Sequence, residues 1–276
     1  MALQPFIKMH ALGNDFVVFD NRTGPQISIG KKQLKHLANR HKGVGCDQVI
    51  LLEATENADL FMRIFNADGG EVGACGNATR CVSLLLMEEK KTNEALIETQ
   101  NALLHCQSTP DGQISVDMGE PRTDWEDIPL TTPHDTLHLD LTAGPLNDAI
   151  AVNMGNPHAI FLVPDCEAVD LEQLGPVLET NPLFPERANI SVAEVIDSRN
   201  IRLRVWERGA GITLACGTAA CAALVATNLR GLCGRQAHLI LDGGPLQIDW
   251  QQNGRVLMTG PATRIFAGTI DIDAKL

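Results

Sequence analysis

The chain has 276 residues, which is long enough for one large or two ordinary domains with a hydrophobic core. Apolar residues make up 44% and charged residues 20%, a composition typical of globular proteins. The net charge of −12 argues against nucleic-acid binding, because contacts with phosphates need a basic surface. The amino-terminal segment lacks the apolar core of a signal peptide, and the most apolar segment, 212–226, is too short to span a bilayer. We therefore expect a cytoplasmic protein that binds neither nucleic acid nor membranes.

Eight cysteines are distributed along the chain without any C-x-x-C spacing. This distribution disfavours zinc ribbons and thioredoxin-like sites, so we expect no metal site. A cytosolic chain of this length also has no need of a disulfide framework. Most of the cysteines, among them Cys46, Cys81 and Cys221, are expected to be small buried side chains.

The sequence contains an internal repeat with an offset of 141 residues, or 142 near its start. The matched segments are 12–14 with 154–156, 62–65 with 203–206, and 74–76 with 215–217. Because the matches occur in the same order in both copies, chance is a poor explanation for them. The repeat predicts two homologous halves, about 12–121 and 154–262, that face each other across a cleft.

Each half is predicted to contain the same elements in the same order. A strand, 60–66 or 201–206, leads into a glycine-rich turn, a cysteine and then a helix. The second helix, through 219–225, is apolar on all sides, which is typical of a helix inside a domain. Further strands are predicted at 114–118, 159–163 and 239–248, and the stretch rich in Pro, Thr and Asp, 122–150, is predicted to join the halves.

These patterns predict an α+β fold with two pseudo-symmetric domains, each a curved sheet around a central helix. The first domain is expected to cover 1–120 and to be completed by the carboxy-terminal tail, 264–276. The second domain is expected to cover 121–263.

Cys75 and Cys216 each follow a glycine-rich turn and precede a glycine and a helix. The first N–H groups of a helix have no partner within it, and the positive end of its dipole lies there. Such a position can lower the pKa of a thiol toward neutral, and we expect at least one of the two sulfurs to have thiolate character. The same N–H groups, those of Gly76-Asn77 and Gly217-Thr218, are expected to bind a carboxylate.

Two such helix ends facing each other predict a two-base amino-acid racemase or epimerase. One thiolate would remove the α-proton, and the opposite thiol would deliver a proton to the other face. The helix dipoles would stabilise the charge that develops on the carboxylate. The alternative is a pair of structural cysteines inherited by duplication, which leaves unexplained why the glycine and the preceding loop are retained as well.

The chain resembles the diaminopimelate epimerase family in motifs that span nearly its whole length. They are HALGNDF (10–16), GCDQ (45–48), FNADGGE (65–71), ACGNATRC (74–81), MGNPH (154–158), FPERANI (184–190), WERGAG (206–211) and LACGTAAC (214–221). The resemblance implies two pseudo-symmetric α+β domains that close over LL-2,6-diaminopimelate and interconvert it with the meso isomer. It also implies a role in lysine and peptidoglycan precursor biosynthesis, no cofactor, and a homodimer.

The resemblance implies roles for individual residues. Cys75 and Cys216 match the two acid–base cysteines, and the pairs 76–77 and 217–218 match the α-carboxylate site. His158 and Glu207 match residues that tune the cysteine pKa values. The remaining positions that match substrate contacts are Asn14, Gln48, Asn66, Asn156, Asn189, Glu207 and Arg208.

The chemistry of these residue types suits a substrate whose far end is a second amino acid. Arg208 can form a two-pronged pair with its carboxylate, and Glu207 can accept from its ammonium group. The asparagines supply uncharged donors and acceptors, although each alone is equally consistent with a turn. Two positions depart from the family pattern: Ile212 replaces an acidic residue of some relatives, and Thr218 replaces a frequent serine.

Three other functions are consistent with parts of the sequence. A racemase of the proline racemase type would have less reason for the Glu207–Arg208 pair and for three asparagines. A pyridoxal-phosphate racemase needs a pocket lysine, and none of the lysines stands out. A non-catalytic thiol-sensing or ligand-binding module would keep the cysteines but does not need helix-end glycines in both halves.

Overall fold

The computed structural model describes residues 3–23 and 26–272, and the chain divides into two compact units. Unit 1 comprises Met1–Val116 and Gly260–Leu276, and unit 2 comprises Asp117–Thr259. The predicted domains, 1–120 with 264–276 and 121–263, stay predictions. Residues 1–2, 24–25 and 273–276 of the first predicted domain lie outside the described residues.

The chain forms strands and helices in the following order. The first half contains β1 Gln4–Ala11, β2 Asn14–Asp20, α1 Lys31–Ala38, β3 Gln48–Glu53, β4 Leu60–Asn66, β5 Glu71–Val72, α2 Gly76–Lys90, β6 Glu94–Glu98, β7 Leu103–Ser108 and β8 Ile114–Asp117. The second half contains β9 Ile150–Asn153, β10 Pro157–Leu162, α3 Leu171–Glu179, β11 Asn189–Asp197, β12 Asn200–Glu207, β13 Gly211–Ile212, α4 Gly217–Leu229, β14 Gln236–Leu241, β15 Gly244–Trp250 and β16 Val256–Gly260. The last strand, β17 Thr263–Ile270, belongs to unit 1.

Strand pairing follows the same scheme in both units. In unit 1, β2 pairs antiparallel with β1 and parallel with β3, and β4 pairs antiparallel with β3 and parallel with β6. In unit 2, β10 pairs antiparallel with β9 and parallel with β11, and β12 pairs antiparallel with β11 and parallel with β14. This register brings the start of β3 beside the end of β4, and the start of β11 beside the end of β12. Polar residues at these strand ends therefore lie close together at one end of the strands in each unit.

The cysteine-led helices, α2 and α4, are the buried helices of the fold. Helix α2 packs against β1, β6 and β7, and α4 packs against most of the strands of unit 2. Within α4, every residue from Ala219 to Thr227 is buried, as its apolar composition predicts. Cys46, Cys81 and Cys221 are buried as expected.

Two sequence-based predictions of local structure are wrong. The predicted single strand 239–248 is a hairpin, in which β14 and β15 are joined at Asp242-Gly243. An Asp-Gly pair between two alternating hydrophobic segments is a strong sequence signal for a two-residue hairpin turn. The stretch 122–150 is also more than a linker, since Ile128, Leu139 and Leu146 are buried in the core of unit 2.

Two shorter helices, α1 and α3, occupy matching places in the two halves and were not predicted. Helix α3 contains Gly175 and Pro176, residues that disfavour a helix interior. No helix in residues 3–23 and 26–272 is long and apolar enough to cross a membrane.

Candidate active site

In unit 1, Cys75 occupies the N-cap of α2, as the sequence predicts. Its backbone is extended (φ −154°), and its sulfur accepts a hydrogen bond from the Ala78 N–H at 3.5 Å. The thiol is half-buried, and Sγ lies 3.9 Å from Asn14 Oδ1. The helix start therefore fixes the sulfur beside an amide oxygen and leaves it partly accessible.

Asn14 and Asn77 lie in a chain of hydrogen bonds with a charged residue at each end. The Asn77 Nδ2 group donates to Asn14 Oδ1 at 3.2 Å. Asn14 in turn donates through Nδ2 to Asp47 Oδ2 at 3.0 Å, and the buried Arg80 donates through Nη2 to Asn77 Oδ1 at 2.9 Å. Because a carboxylate only accepts and a guanidinium only donates, the two ends fix which way each amide points. The oxygen of Asn14 is thereby directed toward Cys75.

Gln48 and Asn66 form a second polar pair at the same end of the strands as Asn14. They are directly opposite each other in the β3–β4 ladder, and Gln48 Nε2 donates to Asn66 Oδ1 at 2.9 Å. Gln48 Oε1 is buried and has no hydrogen-bond partner among the described residues. An unsatisfied buried acceptor is costly, and a ligand donor would remove the cost.

In unit 2, Cys216 occupies the N-cap of α4 and is buried, with Sγ 3.5 Å from the Thr218 hydroxyl. Burial raises the pKa of the Cys216 thiol well above its usual value, and the Glu207 carboxylate raises it further. The Thr218 hydroxyl and the Ala219 N–H act in the opposite direction and are outweighed. The helix start therefore does not lower the pKa of the Cys216 thiol, because loss of solvent and the nearby carboxylate outweigh the hydrogen bonds that favour the thiolate.

His158 is completely buried near this cysteine-bearing helix. Its Nε2 group hydrogen-bonds to Asn156 Oδ1 at 2.9 Å, and Nδ1 has no hydrogen-bond partner within the described part of the chain. Burial, together with the charge of Arg208, lowers the pKa of His158 to about 3. The imidazole is therefore neutral near pH 7 and cannot act on a cysteine as a cation.

We expect His158 to make the fold sensitive to acid. Below pH 6.5 the unfolded chain protonates this histidine, whereas the folded chain resists protonation down to a pKa of about 3. The unfolded state binds the extra proton, so stability falls as the pH is lowered through this window, by at most about 1.4 kcal/mol per pH unit.

Urea unfolding of the wild type and of His158→Gln between pH 7 and pH 4 measures this effect. The variant should lose less stability per pH unit than the wild type. Parallel pH profiles for the two proteins would contradict the assignment of a buried neutral histidine.

Asn189 and Arg208 are joined through the backbone. Asn189 donates through Nδ2 to the Pro157 carbonyl at 3.0 Å and accepts from the Arg208 N–H at 3.0 Å. Arg208 is exposed, and its Nη1 group donates to the Glu186 carbonyl at 2.8 Å. The Asn189 side chain therefore fixes the backbone at Arg208, whether or not it also contacts a ligand.

The structure groups the predicted site residues within each unit. In unit 1, Asn14, Cys75 and Asn77 are in contact, with the Gln48–Asn66 pair at the same end of the strands. In unit 2, the Glu207 carboxylate raises the pKa of the Cys216 thiol, and Asn156 hydrogen-bonds to His158. Glu207 also accepts from the Thr213 hydroxyl. Gly76 and Gly217 are the first residues of α2 and α4.

Asp47 and Arg80 also belong to the site and were not predicted from the sequence, although both lie in the motifs given above. Their roles depend on contacts with Asn14 and Asn77 that no local spacing reveals. No group of three or more His, Cys, Asp or Glu side chains suited to a metal ion occurs in residues 3–23 and 26–272.

Comparison with known families shows where this arrangement belongs. The family model described as "Diaminopimelate epimerase" matches residues 6–123 and 150–265, which is most of the chain. The chain belongs to the diaminopimelate epimerase family. The unmatched stretch between the two ranges coincides with the segment that packs on the core of unit 2.

Curated relatives agree with this assignment. A diaminopimelate epimerase of Rhodospirillum centenum is 55% identical over 267 residues, which cover 96% of this chain and 91% of that protein. A second, of Acidiphilium cryptum, is 51% identical over 270 residues, which cover 98% and 97% of the two chains. The family resemblance and the isomerase class are thereby confirmed.

Solved structures support the fold. A probable proline racemase from Agrobacterium radiobacter matches with a TM-score of 0.70 at 15% identity, covering 99% of this chain and 94% of that one. At this identity the likeness shows the fold alone. With the two-part family match, it confirms the predicted α+β fold of two duplicated domains.

Proposed function

We propose that this member of the family interconverts LL-2,6-diaminopimelate and meso-diaminopimelate without a cofactor, using Cys75 and Cys216 as its acid–base pair. The observation that carries the proposal is the matched pair of cysteines at the N-caps of α2 and α4. High identity to diaminopimelate epimerases over nearly the whole chain supports the substrate. The small-molecule substrate would be bound by its α-carboxylate at the helix starts, Gly76-Asn77 and Gly217-Thr218.

The electrostatics of unit 2 suggest the resting roles of the two cysteines. Because burial and Glu207 keep the Cys216 thiol protonated, Cys216 begins as the proton donor. Cys75 is half-buried and accepts the Ala78 N–H at its sulfur, while its own proton is directed at Asn14 Oδ1. Once that proton is lost, the Ala78 N–H remains as a donor to the thiolate that removes the α-proton. When Cys216 gives up its proton, the resulting thiolate lies near a carboxylate, which favours its reprotonation.

The remaining polar residues are proposed substrate contacts. Glu207 and Arg208 suit the ammonium and carboxylate groups of the distal amino acid. His158 is proposed to tune the pKa of the Cys216 thiol. It would do so as a neutral imidazole, because its own low pKa excludes the imidazolium near pH 7. The uncharged contacts proposed for the substrate are Asn14, Gln48, Asn66, Asn156 and Asn189.

Proton exchange at the α-carbon tests the proposed function. LL-diaminopimelate is incubated with the protein in deuterated water, and ¹H NMR follows loss of the α-proton signal together with appearance of the meso isomer. Proline and glutamate serve as comparison substrates. Turnover of proline instead would support the proline racemase alternative, and binding without exchange would support a thiol-sensing module.

We expect Asp47→Asn to lower kcat/KM by about tenfold, because Asn14 would lose its hydrogen bond to a charged acceptor. The new amide can also present its NH₂ group to Asn14 and turn the Asn14 oxygen away from Cys75. Steady-state kinetics measure the effect, with Asp111→Asn in an exposed turn as the matched control. Equal kinetics for the two variants would remove Asp47 from the site.

A homodimer and a cytoplasmic location complete the proposal. The family resemblance supports the first, and the acidic net charge of −12 is compatible with the second. Sedimentation equilibrium tests the dimer, and fractionation of cells that produce the protein tests the location. A monomer at all accessible concentrations, or recovery with the membrane fraction, would contradict the respective part.

A further inference from the structure

We infer that Glu179 is a positioning residue that holds the Glu207–Arg208 turn in place and so sets the affinity for substrate. The carboxylate of Glu179 is the common acceptor for two residues that flank this turn. Trp206 Nε1 donates to its Oε2 at 2.7 Å, and the Gly209 N–H donates to its Oε1 at 3.0 Å. The two residues between these contacts are the proposed contacts for the distal amino acid. The inference rests in this respect on the proposed function.

Glu179 is placed where a carboxylate is unfavourable unless it has a specific partner. It is the last residue of α3, at the negative end of the helix dipole, and its side chain is only 7% exposed. Among the described residues, its one ion-pair partner is the exposed Arg187, at 3.4 Å. A buried charge is tolerated when hydrogen bonds compensate it, and the Trp206 and Gly209 donors supply them.

The surrounding chain is built closely around this contact. Helix α3 lies against the Trp206 ring at Gly175, where an added Cβ would come within 2.4 Å of the ring. Arg187 holds a left-handed backbone angle (φ 60°), which is uncommon for a residue other than glycine. Gly209 also has a positive φ of 74°. The turn is thus tied to α3 by both packing and hydrogen bonds.

In the described part of the first half, the residues at the matching positions cannot form these two contacts. At the offset of 141 residues, Glu179 aligns with Ala38 and Trp206 aligns with Phe65. The phenylalanine side chain has no N–H to donate, and the alanine side chain has no carboxylate to accept. The hydrogen bonds to Glu179 therefore occur only in the repeat that carries Arg208. The fold that the two repeats share does not require them.

Glu179→Gln is the most direct test, because it preserves size and removes one acceptor. The NH₂ group of the new amide must face the N–H of either Trp206 or Gly209, and one of these contacts is lost. We expect the KM for LL-diaminopimelate to rise about tenfold, with kcat within about threefold of the wild type. Glu172→Gln, an exposed carboxylate in the first turn of the same helix, is the matched control and should keep the wild-type KM.

A double-mutant cycle distinguishes positioning of Arg208 from a general structural role. In an Arg208→Lys background, adding Glu179→Gln should raise KM by clearly less than about tenfold, because one of the two contacts that Glu179 positions is already weakened. A full further tenfold rise would overturn the inference. If Glu179→Gln fails to fold, Trp206→Phe replaces it, since this variant removes the indole donor while keeping an aromatic ring against α3, and it should raise KM about threefold.

Hydrogen exchange separates the failure of this inference from the failure of the proposed function. The Gly209 amide should exchange at least about tenfold faster in Glu179→Gln than in the wild type, with or without substrate. If the wild type does not exchange the α-proton of LL-diaminopimelate, the proposed function fails, yet the Gly209 amide still reports whether Glu179 holds the turn. An active wild type with unchanged KM and unchanged Gly209 exchange in the variant would overturn the inference alone.

Discussion

Replacing Cys75 or Cys216 with alanine is expected to reduce epimerisation by at least about 10²- to 10⁴-fold, the cost of losing a general acid or base. Either change removes one of the two groups that move the α-proton, so each single variant should be severely impaired. The rate of meso isomer formation from LL-diaminopimelate, measured at saturating substrate, is the readout. Near-normal activity in either variant would rule out the two-cysteine mechanism.

Cys81→Ala is the control for these substitutions. Cys81 lies on the same helix as Cys75, is completely buried, and has a thiol pKa that burial raises to about 12. We expect this variant to remain active and to lose roughly 1 kcal/mol of stability. Thermal unfolding of all three variants separates a lost acid–base group from a lost fold.

The second large effect is expected for Arg208→Lys, which keeps the charge but loses the planar fork that pairs with a carboxylate. The KM for diaminopimelate should rise by at least about tenfold, corresponding to the loss of one charge-assisted hydrogen bond. If binding of the distal end contributes to the transition state, kcat falls as well.

Steady-state kinetics over a wide range of substrate concentrations measure both constants for Arg208→Lys. Arg199→Lys, another exposed arginine of the same unit, is the matched control and should behave as the wild type. Wild-type kinetics in Arg208→Lys would exclude Arg208 from substrate binding. They would also mean that the Glu207–Arg208 turn, which Glu179 holds, does not determine substrate specificity through Arg208.

The parts of the fold that the sequence predicted are those encoded by local and repeated patterns. The glycine–cysteine–glycine order specifies a helix start in both halves, and Cys75 and Cys216 are both N-caps. The apolar composition of α4 likewise predicts its burial. Such features depend on neighbours in sequence, so they can be read without knowing the tertiary structure.

The parts that it missed depend on tertiary packing. Helix α3 contains a glycine and a proline, so its helical state is favoured by its contacts and not by its propensity. The high pKa of the Cys216 thiol results first from burial, whereas the sequence reveals only the opposing helix dipole. Glu179 at a helix end is indistinguishable in sequence from an exposed surface carboxylate. Its role emerges only once Trp206 and Gly209 are seen to donate to it.

The pairing of β1 has a consequence for synthesis on the ribosome. Strand β1 is hydrogen-bonded on one side to β2 and on the other to β17, so the first and last of the described strands are neighbours. All of unit 2 is translated between them as one continuous segment. Until β17 emerges, β1 presents an open edge, which is a template for pairing with other chains. A ribosome that stops before Thr263 therefore releases a chain whose β1 keeps an unpaired, aggregation-prone edge.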